Sequence, residues 1–186
     1  YSSFNFKVQD DGGTEDGGVD TDPTVKTITI DVTSANSQPS AVDNSIALYE
    51  DIPQTLNIAD FSFSDSNDTP ANSLAAIKIT SLPVEGVLSL NDTAVTIDQI
   101  VNAAEISNLL YTPLLNASGQ ISFTFDVQDD GGDTNGGMSW SANSATLTLD
   151  VQPISDAPTG ADNDITINEN TSHTFTATDF VFSDAN

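Results

Sequence analysis

The chain has 186 residues, of which 37% are hydrophobic, and its 28 acidic residues against three lysines give a formal net charge of −25 at pH 7. Binding to nucleic acid or to an anionic membrane surface needs cationic side chains, so this balance excludes both as direct partners. The absence of cysteine excludes disulfide bonds and thiol chemistry, and no apolar run approaches the roughly 18 residues of a membrane-inserting helix.

Short runs of alternating apolar and polar residues, rich in β-branched and aromatic side chains, are separated by Gly, Asn, Asp and Pro. The predicted strands, in chain order, are residues 4–8, 27–32, 45–48, 54–58, 75–80, 86–90, 109–113, 123–127, 146–151 and 165–167. Residues 96–107 carry apolar side chains at helical spacing, which predicts one short helical turn. The pattern as a whole predicts an all-β fold with the architecture of an antiparallel β-sandwich.

The chain also repeats itself. Residues 1–67 align without a gap onto residues 120–186, at a constant offset of 119, and 27 of the 67 positions are identical. The string VQDDGG at 8–13, for example, recurs at 127–132. A period of this length predicts a tandem array of stacked modules.

Two polar, proline-containing segments, residues 34–41 and 153–160, are the predicted linkers between repeats. They divide the chain into the C-terminal part of one repeat (1–38), one complete repeat (39–156) and the N-terminal part of the next (157–186). The two flanking parts lack partners for their apolar faces within their own repeats. We therefore expect them to pack on the central repeat, on each other or on a neighbouring copy, including strand exchange between molecules.

Acidic and amide side chains concentrate in three places, each at a predicted strand end. A hard cation such as Ca²⁺ takes six to eight oxygen ligands, which such turns supply; the alternative is that they are ordinary turns without a ligand. The first cluster is Asp60, Asp65, Asn67 and Asp68, repeated as Asp179, Asp184 and Asn186. The second is Asp129, Asp130 and Asp133, repeated as Asp10 and Asp11 followed by Glu15, Asp16, Asp20 and Asp22. The third lies at the junctions: Asp156, Asp162, Asp164 and Glu169, with Asp43, Glu50 and Asp51.

The central unit resembles the cadherin-like repeats of the chondroitin sulfate proteoglycan type, which are also arrayed in giant bacterial surface adhesins. The resemblance spans nearly the whole 119-residue unit and rests on these segments: Glu50, DFSFSDSND (60–68), ITSLPVEGVLSL (79–90), LLYTP (109–113), ISFTFDVQDDGG (121–132), ATLTLDV (145–151) and ISDAPTG (154–160). It implies a cadherin/Ig-like sandwich with Ca²⁺ held between consecutive domains.

The resemblance also implies roles for particular residues. Asp65 and Asn67 match the aspartate-rich turn of such repeats, Asp129 matches the acid that ends the VxD strand, Glu50 the glutamate of the first strand and Asp156 the linker acid. The chain departs from the family in its linkers. The second retains only Ser155-Asp156, and the first has Asn36-Ser37 without an acid. We therefore expect fewer than three ions at each junction and weaker binding at the first.

The sequence does not predict an enzyme. His173 is the only histidine, and its counterpart in the other copy is Gln54. Nucleophile–base motifs, phosphate-binding loops and metalloprotease motifs are absent from the sequence. Trp140 is the one tryptophan, and an aromatic side chain beside acids keeps a carbohydrate-binding surface as an alternative.

These observations together predict a Ca²⁺-stiffened spacer repeat of a large secreted or surface-anchored adhesin, which holds a distal binding domain away from the cell. The expected location is extracellular, and the expected partners are neighbouring repeats of the same chain. The alternative is a repeat that itself binds a glycan or associates with further copies, end to end or by strand exchange.

Overall fold

The fold is all-β. The structure, a computed structural model, describes residues 2–184. Their strands are β1 (Ser2–Phe6), β2 (Lys26–Ile30), β3 (Ser40–Ala41), β4 (Asn44–Tyr49), β5 (Gln54–Thr55), β6 (Phe63–Ser64), β7 (Leu74–Ile79), β8 (Val87–Leu90), β9 (Thr93–Ala94), β10 (Ile100–Asn102), β11 (Leu109–Thr112), β12 (Gly119–Asp129), β13 (Ala145–Gln152), β14 (Thr159–Gly160) and β15 (Phe182–Ser183). Helical structure in the described residues is limited to short 3₁₀ turns at Glu15–Gly17, Ile58–Phe61, Ala103–Asn108, Thr134–Gly136 and Ala177–Asp179.

Two larger sheets form the centre of the molecule. One has the strand order β10-β7-β12-β13-β4 and the other the order β5-β11-β8-β9. All neighbouring strands in them are antiparallel except β13 and β4, which are parallel. The predicted antiparallel arrangement is therefore wrong for this pair. Parallel neighbours need a long crossover connection, and here most of the central unit separates β4 from β13 in the chain.

The hydrophobic core is one cluster built from side chains of both sheets. Strand β12 buries alternate residues, as the two-residue period of a strand requires. Phe125 from this strand meets Phe61 edge to face, with ring centroids 4.9 Å apart. From the smaller sheet Leu88, Leu109 and Tyr111 join the same hydrophobic cluster.

Strand direction fixes where the segments that join the central unit lie. Because β4 and β13 run the same way and β12 runs against β13, the start of β4 and the end of β12 share one end of the sheet. We call this the incoming end, since residues 34–41 lead into it. The outgoing end is the opposite one, where β4 and β13 finish and residues 153–157 leave.

The flanking segments repeat the local structure of the centre at the same offset of 119. Phe4 pairs with Ile28 in β1 and β2, as Phe123 pairs with Leu147 in β12 and β13. The 3₁₀ turns at Ile58–Phe61 and Ala177–Asp179 both carry a capping box. In the flanks, however, the corresponding apolar side chains are exposed rather than buried.

Two predicted elements are wrong. Residues 165–167 form no strand, although their counterparts in β4 pair with β13. Residues 96–107 form no continuous helical turn, because Ile100–Asn102 pairs with β7 as strand β10 and the 3₁₀ turn starts only after it. Within the described part of the chain, none of the helices has the length and apolar character needed to cross a membrane.

Phe61 and Phe180 are counterparts that differ in burial, at 0% and 66% exposed respectively. We expect Phe61→Ala to lower the free energy of unfolding by about 3–5 kcal/mol, because it opens a cavity in the core. Phe180→Ala, the matched control, should change it by less than about 0.5 kcal/mol. Urea unfolding of dilute protein measures both, and equal losses for the two variants would contradict the described core.

Candidate metal centre

Asp129 is an acidic residue on the inward face of β12. Its side chain is only 2% exposed. The Oδ1 atom accepts hydrogen bonds from Asn36 Nδ2 at 2.9 Å and from Gly131 N at 3.0 Å. The Oδ2 atom is buried and has no hydrogen-bond partner. Half of this carboxylate is therefore unsatisfied inside the protein.

Asp65, in the turn that follows β6, has the same property. It is 6% exposed, and its Oδ2 accepts a hydrogen bond from Asn72 N at 2.8 Å. Its Oδ1 is buried without a partner. A buried polar atom left unpaired costs about 1–3 kcal/mol, and more when it is charged. The charge of Asp65 also raises the pKa of Asp129, so the two buried carboxylates at the incoming end are a costly arrangement for the chain alone.

The segment leading into the central unit lies directly against these carboxylates. Besides its bond to Asp129, Asn36 Nδ2 donates to Met138 O at 3.0 Å, and Met138 N donates to Asn36 O at 3.1 Å. Asn72 Nδ2 donates to Asn36 Oδ1. Ser37 N donates to Asp68 Oδ2 at 2.9 Å. Residues 36–37 are therefore held to the central unit by the same acidic turns that carry Asp65, Asp68 and Asp129.

A glycine makes room for this contact. A Cβ atom placed on Gly131 would overlap the amide groups of Asn36 and Asn72. At the counterpart, Gly12, the nearest atom is the Oδ1 of Asp10 at 3.3 Å. Gly131, the first glycine of the DDGG motif, thus has a packing role at the incoming end, whereas Gly132 serves the turn, with φ of 76° and open space around it.

Electrostatics at this site favour a positive charge. Burial raises the pKa of Asp129, the hydrogen bonds from Asn36 and Gly131 lower it in part, and the negative charges of Asp65 and Asp68 raise it further. The cluster has acceptor oxygens in excess, and none of the ion pairs among residues 2–184 involves its carboxylates. Carboxylate and amide oxygens are the ligands of hard divalent cations, so the donor set fits Ca²⁺ or Mg²⁺.

The remaining predicted ligands do not join this cluster in the described structure. Asn67 and Asp130 lie nearby but are exposed, and Asp130 Oδ1 accepts a hydrogen bond from Ser73 N at 2.8 Å. Asp60 Oδ2 instead accepts from Asn57 N at 2.7 Å, which caps the 3₁₀ turn. The exposed flanking residues are Asp10, Asp11, Glu169 and Asp184, whereas Asn186 lies outside the described residues.

Glu50 and Asp156 belong to the outgoing end. Glu50 is 1% exposed, its Oε1 accepts a hydrogen bond from Ile154 N at 2.9 Å, and its own N–H donates to Gln152 O at 3.0 Å. Asp156 is half-buried in the segment that follows. The predicted ligands are thus divided between the two ends of the central unit. Residues 2–184 contain no group of three or more acidic, histidine or cysteine side chains arranged to hold a metal ion, and this includes the acids at the incoming end.

Sequence analysis did not assign Asn36 or Asn72 as site residues. A search for clustered charges does not find neutral amides, and Asn36 lies in a linker segment that has no acidic residue. The signal that could have found it is Gly131, because a glycine at a strand end can indicate the close approach of another segment.

Comparisons with known proteins do not identify the chain: no family model matches it, and neither the characterised proteins nor the solved structures include a match.

Asp129→Asn tests the buried charge, with Asp10→Asn, its exposed counterpart, as the matched control. In a chelator at neutral pH, we expect Asp129→Asn to raise the free energy of unfolding by about 1 kcal/mol, because a charged buried oxygen is removed. Asp10→Asn should have no measurable effect.

The pH dependence of the same comparison follows from the raised pKa of Asp129. In the wild type, the charged Asp129 carboxylate lowers the free energy of unfolding by its full amount at pH values above the raised pKa. This loss becomes smaller as the pH falls toward 3.8, the ordinary pKa of an aspartate, because the folded state takes up the proton before the unfolded state does. The stability gap between Asp129→Asn and the wild type should therefore shrink on acidification. Thermal unfolding at several pH values measures it, and a gap that widens toward low pH would contradict the assignment.

Proposed function

We propose that the chain is part of a Ca²⁺-stiffened spacer in a large secreted or surface-anchored adhesin, without enzymatic activity. In this proposal residues 39–156 are one complete repeat of a tandem array. The two central sheets form a cadherin/Ig-like β-sandwich, residues 1–38 end the preceding repeat and residues 157–186 begin the next. Support comes from the offset of 119, which relates both the sequences and the local structures of the flanks to the centre.

The observation that carries the proposal is the pair of buried carboxylates at the incoming end. Asp65 Oδ1 and Asp129 Oδ2 are both buried and lack hydrogen-bond partners, while Asn36 from the linker bonds the other oxygen of Asp129. A divalent cation would satisfy the two oxygens, and carbonyl groups, amide oxygens and water can complete its shell. Because Asn36 of the linker hydrogen-bonds Asp129, an ion bound to the other oxygen of Asp129 would restrain the linker as well.

Ca²⁺ suits this site better than Mg²⁺. Calcium accepts irregular shells of six to eight oxygens, whereas magnesium demands a near-ideal octahedron and gives up its water reluctantly. The side chains here come from separate turns and a linker, and they carry amide as well as carboxylate oxygens. The proposal implies an extracellular location, because weak Ca²⁺ sites of this type are filled only at the millimolar Ca²⁺ concentrations found outside the cell.

The outgoing end contributes to the same function. Glu50 is buried and bonds Ile154 N, so it restrains the segment that leaves the repeat. Each end of the central unit thus contacts its own linker through an acidic side chain. A spacer needs this property, since its reach depends on limiting rotation between units.

A glycan-binding role has less support. Lys78 Nζ lies 5.0 Å from the centre of the Trp140 ring and also pairs with Asp126 at 2.8 Å. This face of the only tryptophan is therefore covered by a lysine rather than open for stacking with a sugar. Self-association, the other part of the alternative, is favoured by the exposed apolar flanks.

The proposal predicts stabilisation by Ca²⁺. At a tenfold excess over its dissociation constant, one ion stabilises the folded state by about 1.4 kcal/mol, which for a chain of this length raises the unfolding temperature by roughly 3–6 °C. Thermal unfolding in excess chelator, in millimolar Ca²⁺ and in millimolar Mg²⁺ measures the shift. Asp65→Asn and Asp129→Asn should abolish it, whereas Asp130→Asn, whose carboxylate is exposed, should retain most of it. No shift in the wild type would overturn the proposal.

A second prediction concerns the linker. Gly131→Ala should expel Asn36 from its position, because the new Cβ overlaps its amide. Hydrogen exchange at Met138 N and Ser37 N, which bond Asn36 O and Asp68 respectively, should accelerate by at least about tenfold. Gly12→Ala is the matched control and should leave both amides protected. Unchanged protection in Gly131→Ala would contradict linker docking at this site.

A further inference from the structure

Asn135 lies in an exposed turn between β12 and β13, and it is the one asparagine of the sequence that is followed by glycine. Its backbone is left-handed, with φ of 56° and ψ of 28°. The next residue, Gly136, has φ of 80°, and no atom lies within 4 Å of the place where a Cβ would stand. A side chain on the following residue hinders reaction between an asparagine and the next peptide nitrogen. This hindrance is absent at Asn135.

The same turn of the N-terminal flank has an aspartate at this position. Asp16, the counterpart of Asn135, has φ of 54° and ψ of 28°, and Gly17, the counterpart of Gly136, has φ of 84°. Asparagine and aspartate are the non-glycine residues that adopt this region most readily. An aspartate at position 135 therefore fits the turn without a change of the backbone.

The base of the turn packs against the linker. Gly137 N donates to Thr134 O at 3.0 Å and closes the turn. A Cβ on Gly137 would lie 2.9 Å from Asn36 Cβ and 3.0 Å from Asn36 N, and Met138 N donates to Asn36 O at 3.1 Å. A longer main chain at residue 135 would therefore displace the residues that hold Asn36.

We propose that Asn135 is a site of spontaneous modification, at which deamidation through Gly136 releases the linker from the incoming end. The backbone nitrogen of Gly136 loses its proton and bonds to Cγ of Asn135, and the Cγ–Nδ2 bond breaks to release ammonia. Water then opens the cyclic imide. Addition of water at Cγ gives aspartate, whereas addition at the main-chain carbonyl carbon gives isoaspartate. The net reaction consumes one water and releases one ammonia, without oxidant or reductant.

The two products differ in their effect on the turn. Isoaspartate adds one carbon atom to the main chain, because the chain then passes through Cβ and Cγ. The bond between Gly137 N and Thr134 O cannot keep its geometry, so Gly137 moves relative to Asn36. Aspartate adds only a negative charge at an exposed position, and Asp16 shows that the backbone accepts it. Release of the linker is therefore assigned to the isoaspartate product.

The closed turn restrains the reaction. At ψ of 28° the nitrogen of Gly136 lies on the far side of the Cα–C bond from Cβ of Asn135. The ring therefore closes only after the turn opens. Since the linker packs on the base of the turn, loss of linker docking should speed the reaction. Modification and release thus favour each other. Neither step needs a bound ion, so measurements in chelator test them separately from the proposed Ca²⁺ function.

Peptide mapping by mass spectrometry tests the site, on the whole chain incubated in chelator at mildly alkaline pH. Asn135 should convert at least about tenfold faster than Asn116, which is also exposed and left-handed, with φ of 55°, but is followed by Ala117. Isoaspartate should be the larger product. The variant Asn135→Gly, in which glycine accepts the positive φ, should give no product in this peptide. Conversion at Asn135 that is no faster than at Asn116 would overturn the proposal.

Hydrogen exchange at Met138 N tests release of the linker. In the isoaspartate-containing fraction, separated by chromatography, this amide should exchange at least about tenfold faster than in fresh protein. The matched control is Asn135→Asp, which adds the charge without the extra carbon and should keep Met138 N protected. Protection that survives in the isoaspartate fraction would overturn the release.

The coupling between docking and modification has its own test. Gly131→Ala, which expels Asn36, should speed the loss of Asn135 at least about threefold. Gly12→Ala is the matched control and should leave the rate unchanged. Equal rates in the two variants would show that the turn opens independently of the linker and would remove the coupling from the proposal.

Discussion

The alternation of β12 forces a carboxylate into the position of a core side chain. Ile121, Phe123, Phe125 and Val127 all point inward, and Asp129 is the next residue on that face. Turning Asp129 to solvent by a register slip would expose the four apolar side chains at the same time. The buried charge is therefore tied to the stability of the core. The bulge against β7 between Gln128 and Asp129 ends the strand at that point without releasing the carboxylate.

This constraint explains why the linker contacts the central unit as it does. One oxygen of Asp129 is satisfied by donors, and the linker residue Asn36 supplies one of them. The hydrogen bond from the linker thus offsets part of the free-energy cost of burying the charge. The position of the linker in turn depends on the Asp129 carboxylate. An ion that satisfied the other oxygen would strengthen a contact that is already present. Cation binding and linker order would then be coupled through a single side chain, without any larger rearrangement.

The sequence predicted those features that depend on one strand or one charge cluster. Strand alternation identified residues 123–127 and 146–151 as strands, and acid clustering predicted Asp65 and Asp129 as cation ligands, which the structure shows to be buried carboxylates. The same alternation failed at 165–167, because a pattern shows which face is apolar but not whether a partner strand is there. The division of Glu50 and Asp129 between opposite ends depends on the parallel β4–β13 pair, which no local pattern encodes. Asp60 was predicted as a ligand, although its spacing from Asn57 is that of a helix cap.

The flanks and the centre show that burial in this chain is decided by neighbours rather than by local sequence. Phe61 and Phe180 lie at the ends of matching 3₁₀ turns, and in each turn the preceding aspartate accepts a hydrogen bond from the N-cap backbone N–H. Only Phe61 is buried. Burial at these positions requires segments from both ends of a 119-residue unit. Those segments are acidic, so bringing them together has two costs: the desolvation of their carboxylates and the repulsion between their negative charges. In the proposed array a divalent cation at the junction would reduce both costs at once, which gives the strongly acidic composition a structural reason beyond solubility.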